Sequence, residues 1–168
     1  MEEKYHRRSI RLQGFDYSQA GYYFVTICTK EKTHYFGKIT HGKMLQSIVG
    51  GFVYRCLLDI PKHYPNVPLD EYVIMPNHIH VIIVIKQVGV QNFEPLQNRY
   101  RHIIQYSLGS IIRGFKIGVT KLCKTNNISF YWQRNYYEHI IRDEKEYNTI
   151  RQYIQNNPLN WDADEENV

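Results

Sequence analysis

The chain has 168 residues and a mass of 20.2 kDa, a length that fits one folded domain spanning residues 1–168. Hydrophobic residues make up 43% and aromatic residues 14%, so the composition excludes a disordered polymer. The longest aliphatic run, residues 81–85, is much shorter than the roughly 20 residues of a membrane span, and no secretory signal follows the basic N-terminus. Three widely spaced cysteines are typical of free thiols, and we expect a cytoplasmic protein.

The first predicted elements are two strands and a helix. Residues 22–29 are β-branched and aromatic and predict a strand, and residues 35–39 a short second one. Residues 44–63 have helical spacing of apolar positions, with Pro61 at the end. The pair Gly50-Gly51 within this pattern either weakens the helix prediction or marks close packing against a neighbour.

A tight antiparallel hairpin is predicted next, from two apolar runs, 69–75 and 78–86, joined by Pro76-Asn77. Both faces of the second run are largely apolar, which indicates a central strand covered on both sides. Residues 87–105 lack periodicity and predict a loop.

The C-terminal half predicts a basic amphipathic helix, a short or broken strand and a last helix. The remaining segments are residues 107–124 (helix), 130–133 and 136–141 (strand), 143–157 (helix) and 162–168 (tail). Asp143 and Glu146 form a capping-box pattern, and Pro158 prevents continuation of the last helix. The order predicts an α+β fold, a ferredoxin-like (RRM-like) antiparallel sheet with helices packed on it plus a C-terminal helix.

Positive charge is segregated along the chain, which carries a net charge of +5. No acidic residue occurs between Glu94 and Glu138, whereas basic residues and aromatic rings alternate there. This distribution is typical of a polyanion partner, and the rings favour single-stranded nucleic acid. A solvated basic helix without a partner is the alternative. Candidate DNA contacts are Arg113, Lys116, Lys121 and Lys124 in the helix, and Arg7, Arg8 and Arg11 in a basic N-terminal arm, residues 1–15.

His78 and His80 are the first candidates for chemistry. Two histidines at positions i and i+2 of a strand point the same way, so their imidazoles can bind one divalent ion. Alternatively, both are ordinary strand residues on a wet face. Their place at the start of a buried strand argues against that alternative, because burying unpaired imidazoles is costly.

Tyr153 and Asn157 are the second pair. They are one helical turn apart and share a face of the predicted last helix. They could also be a packed aromatic and a polar residue next to Pro158. The apolar face is already supplied by Tyr147, Ile150 and Ile154, so Tyr153 is not needed in the core.

Three motifs together resemble a known family. The string MPNHIH (75–80), followed by YWQRNYYEHIIR (131–142) and YIQNNP (153–158), is similar to the single-tyrosine HUH transposases, and in particular to REP-associated tyrosine transposases. The segments RRSIRLQGFDYSQAGYYFVTICT (7–29), FGKI (36–39) and GFK (114–116) fit the same pattern, so the resemblance extends to about Trp161.

The resemblance implies a function and a site. It implies a metal-dependent single-stranded DNA endonuclease and strand transferase that acts on hairpin-bearing repeat elements through a 5′-phosphotyrosine intermediate. It places the nucleophile on Tyr153, in the C-terminal helix, and the ligands of Mg²⁺ or Mn²⁺ on His78, His80 and Asn157. Two imidazoles and an amide oxygen leave positions open for the scissile phosphate.

The sequence is also compatible with other classes of protein. One is a non-catalytic module that binds single-stranded DNA or RNA on the same fold, although such a sheet would carry aromatic residues on an open face of its central strands. Another is a replication initiator or relaxase, which shares the chemistry but sits in larger chains. Relatives occur as monomers and as dimers with exchanged tyrosine helices, so a monomer or a homodimer is expected.

Overall fold

The computed structural model describes residues 15–87, 106–164 and 166–167. The predicted N-terminal arm (1–15) and the predicted loop (87–105) lie almost entirely outside the described residues. The elements in chain order are β1 (Gly21–Cys28), β2 (Gly37–Thr40), β3 (Lys43–Gln46), α1 (Ile48–His63), β4 (Leu69–Ile74), β5 (His78–Ile85), α2 (Leu108–Thr125), β6 (Tyr137–Ile141) and α3 (Glu144–Asn156). Short 3-10 segments follow β1 at Lys30–Lys32 and α3 at Asn157–Ala163.

Four strands form one antiparallel sheet in the order β4-β5-β1-β6. With α1 after β1 and α2 after β5, this is the βαββαβ arrangement of the ferredoxin-like fold, so the predicted fold class is confirmed. The predicted hairpin is β4 and β5, and β5 is an inner strand, as its apolar faces indicated.

The predicted start of the first helix at Met44 is wrong. Lys43–Gln46 is strand β3. It pairs with β2 to form a separate two-stranded sheet, which follows β1 and precedes α1 in the chain. Helix α1 begins only after Ser47, whose hydroxyl accepts a hydrogen bond from the Gly50 amide. So short a segment fits both helical and strand periodicity, and pairing with β2 decides between them.

The two faces of β5 pack against different helices. Ile79, Val81, Ile83 and Ile85 belong to the main core, which also takes the buried residues of α1 and α2. Ile82 and Val84 belong to a second cluster with Ile154 of α3. His78 and His80 share this second face, so helix α3 and the two histidines lie on the side of the sheet opposite α1 and α2.

Beyond α3 the chain turns back instead of ending in a tail. Helix α3 gives way at Asn157 to a 3-10 helix with Pro158 in its first turn, and this helix runs to Ala163. Asp164 and Glu166, which the sequence assigned to a tail, contact the end of the sheet. Across residues 15–87 and 106–164, no helix is both long and apolar enough to cross a membrane.

Candidate metal and nucleophile site

The β4–β5 turn fixes His78. Asn77 in this turn is fully buried, and its Nδ2 donates to the carbonyl oxygens of Lys32 (3.2 Å) and Glu166 (2.7 Å). These two acceptors leave Asn77 Oδ1 as an acceptor for His78 Nδ1, at 2.8 Å. The proton of a neutral His78 therefore sits on Nδ1, and Nε2 carries the lone pair.

His80 faces His78 across a short gap. Its Nδ1 is 2.8 Å from Thr26 Oγ1 on the neighbouring strand β1, and its Nε2 is 3.1 Å from His78 Nε2. Burial lowers the pKa of both histidines to about 3, and for His80 the charge of His78 adds to the effect. Both imidazoles are therefore neutral at pH 7, which is the form that binds a metal ion.

The hydroxyl of Tyr153 reaches the same point. Tyr153 Oη lies 3.2 Å from His80 Nε2, and the ring of Tyr153 contacts the His80 ring with centroids 5.2 Å apart. The side chain is 47% exposed although its helix neighbour Ile154 is fully buried. Helix α3 therefore presents this tyrosine to the histidines and to solvent at once, as the sequence indicated.

Asp164 completes the group, and sequence reasoning missed it. Its Oδ2 is 3.9 Å from His78 Nε2, and ligand atoms of His78, His80 and Asp164 all lie within 4.8 Å of one another. The carboxylate is held by the Glu166 amide at 2.7 Å and by Asn157 Nδ2 at 2.9 Å. Nothing in the acidic C-terminal sequence distinguishes Asp164 from its acidic neighbours.

Asn157, the third predicted ligand, reaches the group through Asp164. The residue is 1% exposed, and its Oδ1 is buried without a hydrogen-bond partner among the described residues. An unsatisfied buried acceptor of this kind is costly unless a cation or water meets it. The structure thus brings His78, His80 and Tyr153 together and places Asn157 one hydrogen bond away.

Lys32 and Trp161 border the site. Lys32 forms an ion pair with Glu166, and its Nζ is 3.9 Å from Cys28 Sγ. The Trp161 ring lies 6.0 Å from that of His78 and is itself 8% exposed. The returning C-terminal segment therefore covers one side of the histidine pair, whereas Tyr153 lies on the other.

Three of the four predicted DNA contacts of α2 lie on the other side of the sheet from this group. Helix α2 packs on the opposite side of the sheet, with Arg113, Lys121 and Lys124 exposed. Arg7, Arg8 and Arg11 lie outside the described residues.

Lys116 of the same helix bonds to the loop that precedes β6. Its Nζ donates to the carbonyl oxygens of Gln133 (2.9 Å) and Asn135 (3.0 Å) and lies over the Trp132 ring. Burial lowers its pKa to about 8. The ammonium group thus holds the loop before β6.

Comparison with known proteins agrees with this fold. No family model matches the chain. Among solved structures, a REP-associated tyrosine transposase bound to a REP hairpin superimposes with a TM-score of 0.64 and 17% identity, over 92% of this chain and 74% of that one. An uncharacterized protein of Haemophilus influenzae strain Rd is 48% identical over 167 residues, which is 96% of this chain and 93% of that protein.

The fold is that of the REP-associated tyrosine transposase. At 48% identity over nearly the whole length of both proteins, the chain belongs to the family of the Haemophilus influenzae protein.

Proposed function

We propose that this protein cleaves and rejoins single-stranded DNA, with Tyr153 as the nucleophile at a divalent-metal site. The observation that carries the proposal is the position of the Tyr153 hydroxyl, 3.2 Å from the Nε2 of a histidine that faces a second histidine at 3.1 Å. The ring of Tyr153 is half exposed, so a DNA strand can approach its hydroxyl.

The donor set fits a cation. Because Asn77 keeps the proton of His78 on Nδ1, His78 Nε2 offers a lone pair to the space between the rings. Ligand atoms around one ion lie at most about 4 Å apart, and His78 Nε2 is within that limit of both His80 Nε2 (3.1 Å) and Asp164 Oδ2 (3.9 Å). We assign His78, His80 and Asp164 as ligands, with Asn157 holding Asp164 and offering its own Oδ1.

Of the two cations that the resemblance implies, Mn²⁺ suits two imidazoles better than Mg²⁺, which prefers oxygen ligands. When bound, such a cation would polarise a phosphoryl oxygen of the scissile phosphate.

The reaction is a transesterification. The Tyr153 oxygen attacks phosphorus, the bond from phosphorus to the 3′ oxygen breaks, and the tyrosine is left with a 5′-phosphate ester. The tyrosine hydroxyl loses its proton and the leaving 3′ oxygen gains one, so the products are a phosphotyrosine and a free 3′-OH. The ester keeps the energy of the broken bond, so the strand can be rejoined without ATP.

The substrate we propose is single-stranded DNA next to a hairpin of a repeat element. This rests on the sequence resemblance and on the REP hairpin carried by the transposase of the same fold. One chain supplies both the histidines and Tyr153, and α3 is tied to β4 of its own sheet by Tyr147–Asp70 and Arg151–Glu71 contacts. A monomer is therefore sufficient to form the site.

The test is covalent capture of DNA. Labelled single-stranded DNA from the flanks of the protein's own gene, incubated with Mn²⁺ or Mg²⁺, should give an adduct that survives denaturing electrophoresis. Tyr153→Phe should abolish adduct and cleavage while DNA binding stays within about twofold, because it removes one oxygen and keeps the ring. Tyr54→Phe, at an exposed tyrosine of α1 on the other side of the sheet, is the control and should still form the adduct. An adduct with Tyr153→Phe would show that another residue is the nucleophile.

A non-catalytic binding module is the second candidate. The sequence argued against it because a central strand carries histidines. However, β1 is also an inner strand and places Tyr22 and Phe24 on the histidine face. Tight DNA binding by the wild type with no adduct on any flank-derived hairpin would favour this candidate.

A further inference from the structure

Helix α3 packs on the sheet face on which the histidines lie and covers its two halves unequally. On the β4–β5 half, Tyr147 Oη donates to Asp70 at 2.7 Å, and Arg151 and Gln155 donate to Glu71 at 3.1 and 2.9 Å. On the second half, formed by β1 and β6, Ile141 packs in the cluster of Ile154 and His139 bonds Glu146 of α3, but one tyrosine of each strand stays about half exposed.

This second half carries aromatic side chains, and we call it the β1–β6 platform, made of Tyr22, Phe24, Tyr137 and His139. Register places Phe24 opposite His139 and Thr26 opposite Tyr137, so all of these side chains share the histidine face. Tyr22 is 44% and Tyr137 52% exposed, and the His139 side chain is 34% exposed.

Phe24 joins the platform to the proposed catalytic group. Its ring lies nearly parallel to that of His80, with centroids 5.3 Å apart and an angle of 28°, and it meets the Tyr153 ring edge-on at 6.1 Å. Tyr137 is opposite Thr26, whose hydroxyl is 2.8 Å from His80 Nδ1. Phe24 thus contacts both His80 and Tyr153, and His139 and Tyr137 lie on the same face of the neighbouring strand β6.

We infer that the β1–β6 platform binds the unpaired nucleotides next to the scissile phosphate by stacking their bases on these rings. The inference rests on the proposed function, because it takes the strand to be cleaved at Tyr153 as the occupant. Unpaired bases stack on aromatic rings without sequence preference, whereas the bases of a duplex are already stacked on each other.

The local charge is compatible with a DNA strand. Glu146, which borders the platform, is engaged by His139 at 2.6 Å and by the amide of Arg142 at 2.8 Å. Both oxygens of this carboxylate therefore already have a hydrogen-bond partner within the protein.

The experiment measures binding in EDTA, where no cleavage occurs. Affinities for a fluorescein-labelled single strand from the flank of the gene, and for the matching duplex, are measured by anisotropy for the wild type, Tyr137→Ala, Tyr137→Phe and Tyr54→Ala. Tyr54 is a matched control, since it is 43% exposed on α1, on the other side of the sheet. We expect Tyr137→Ala to weaken single-strand binding about tenfold, with duplex binding unchanged and with Tyr137→Phe and Tyr54→Ala like the wild type.

A second probe locates the bases. The adenine analogue 2-aminopurine, placed in the strand one nucleotide at a time, should be quenched next to the cleavage position in the wild type and less so with Tyr137→Ala. Equal single-strand affinity of Tyr137→Ala and wild type, or a wild type that binds no single strand, overturns the inference. These results are separate from the adduct assay. If the wild type forms no adduct but its single-strand binding depends on Tyr137, only the proposed catalysis is overturned. If the wild type forms the adduct but its binding does not depend on Tyr137, only the platform is overturned.

Discussion

Asp164 differs from the other acidic residues near the C-terminus in how its carboxylate is held. The side chain is 3% exposed, and it accepts hydrogen bonds from the Glu166 amide and from Asn157 Nδ2. These two donors aim Oδ2 towards His78. A carboxylate supplies negative charge to a site whose other donors are two neutral imidazoles, so it should contribute strongly to cation affinity.

Asp164→Asn should therefore weaken Mn²⁺ binding by at least about tenfold, because it removes the charge and keeps the shape. Isothermal titration calorimetry on the DNA-free protein gives the affinity directly. Asp162→Asn, at an exposed position of the 3-10 helix that precedes Asp164, is the matched control and should bind Mn²⁺ like the wild type. Equal affinities for the two variants would remove Asp164 from the ligand set.

The histidine pair also makes stability depend on pH in the metal-free protein. Burial lowers the pKa of His78 and His80 to about 3, whereas an unfolded histidine has a pKa near 6.5. Between these values the unfolded chain binds more protons, so the free energy of unfolding falls as pH decreases from about 6.5 towards 3. Each histidine contributes up to about 1.4 kcal/mol per pH unit in this window.

Urea denaturation in EDTA at a series of pH values tests this dependence. The double substitution His78→Gln/His80→Gln should give a visibly flatter pH dependence between about pH 4 and 6 than the wild type. Carboxylates titrate in both proteins, so the difference between the two curves reports the histidines. Parallel curves would mean that the imidazoles are not neutral in the folded state.

The paired glycines of α1 have opposite surroundings. A Cβ at Gly50 would overlap the carbonyl oxygen of Phe36, whereas a Cβ at Gly51 would meet no atom within 4 Å. The predicted close packing therefore holds for the first glycine of the pair. It seats α1 against the segment that leads from β1 into the β2–β3 hairpin.

Substitution of these glycines should change stability in opposite directions. Gly50→Ala should lower the free energy of unfolding by roughly 1–3 kcal/mol, because backbone has to move. Gly51→Ala should raise it by roughly 0.5–1 kcal/mol, because alanine favours the helix and has room. The free energies of unfolding are measured by chemical denaturation, and each variant is the control for the other. A change of the same sign in both variants would contradict this packing.

Sequence periodicity predicted those parts of the site that lie on regular elements. The i, i+2 spacing of His78 and His80 on a strand and the position of Tyr153 outside the apolar stripe of α3 were both visible in the sequence. Asp164 and the orienting amide of Asn77 were not, because their positions depend on a 3-10 turn and on contacts between segments distant in sequence. The strand β3 was missed for a similar reason, since its pairing with β2 outweighs a local helical pattern.

The sheet separates two surfaces of the molecule with different chemistry. Arg113, Lys121 and Lys124 are exposed on α2, on the side of the main core, whereas Tyr153 and the histidines lie on the other side with α3. A hairpin that contacts α2 through its phosphates therefore has to extend around the sheet to bring a strand to Tyr153. Binding of the stem and chemistry on the strand should then be separable by mutation.

Neutralising α2 should weaken binding without slowing the chemical step. Lys121→Gln/Lys124→Gln removes two exposed charges near the end of α2, so the affinity for a hairpin DNA should fall, and the slope of log affinity against log salt should decrease by about 1.8. At saturating DNA, the single-turnover rate of adduct formation should equal that of the wild type, because neither lysine is near Tyr153.

Lys116 is left intact, since its loss would release the Gln133 and Asn135 carbonyls and disturb the loop before β6. Lys38→Gln/Lys43→Gln on the β2–β3 hairpin removes the same charge elsewhere and should leave the slope unchanged. An unchanged slope for the α2 variant would place the stem on another surface, and a slower adduct rate at saturation would mean that α2 also positions the strand.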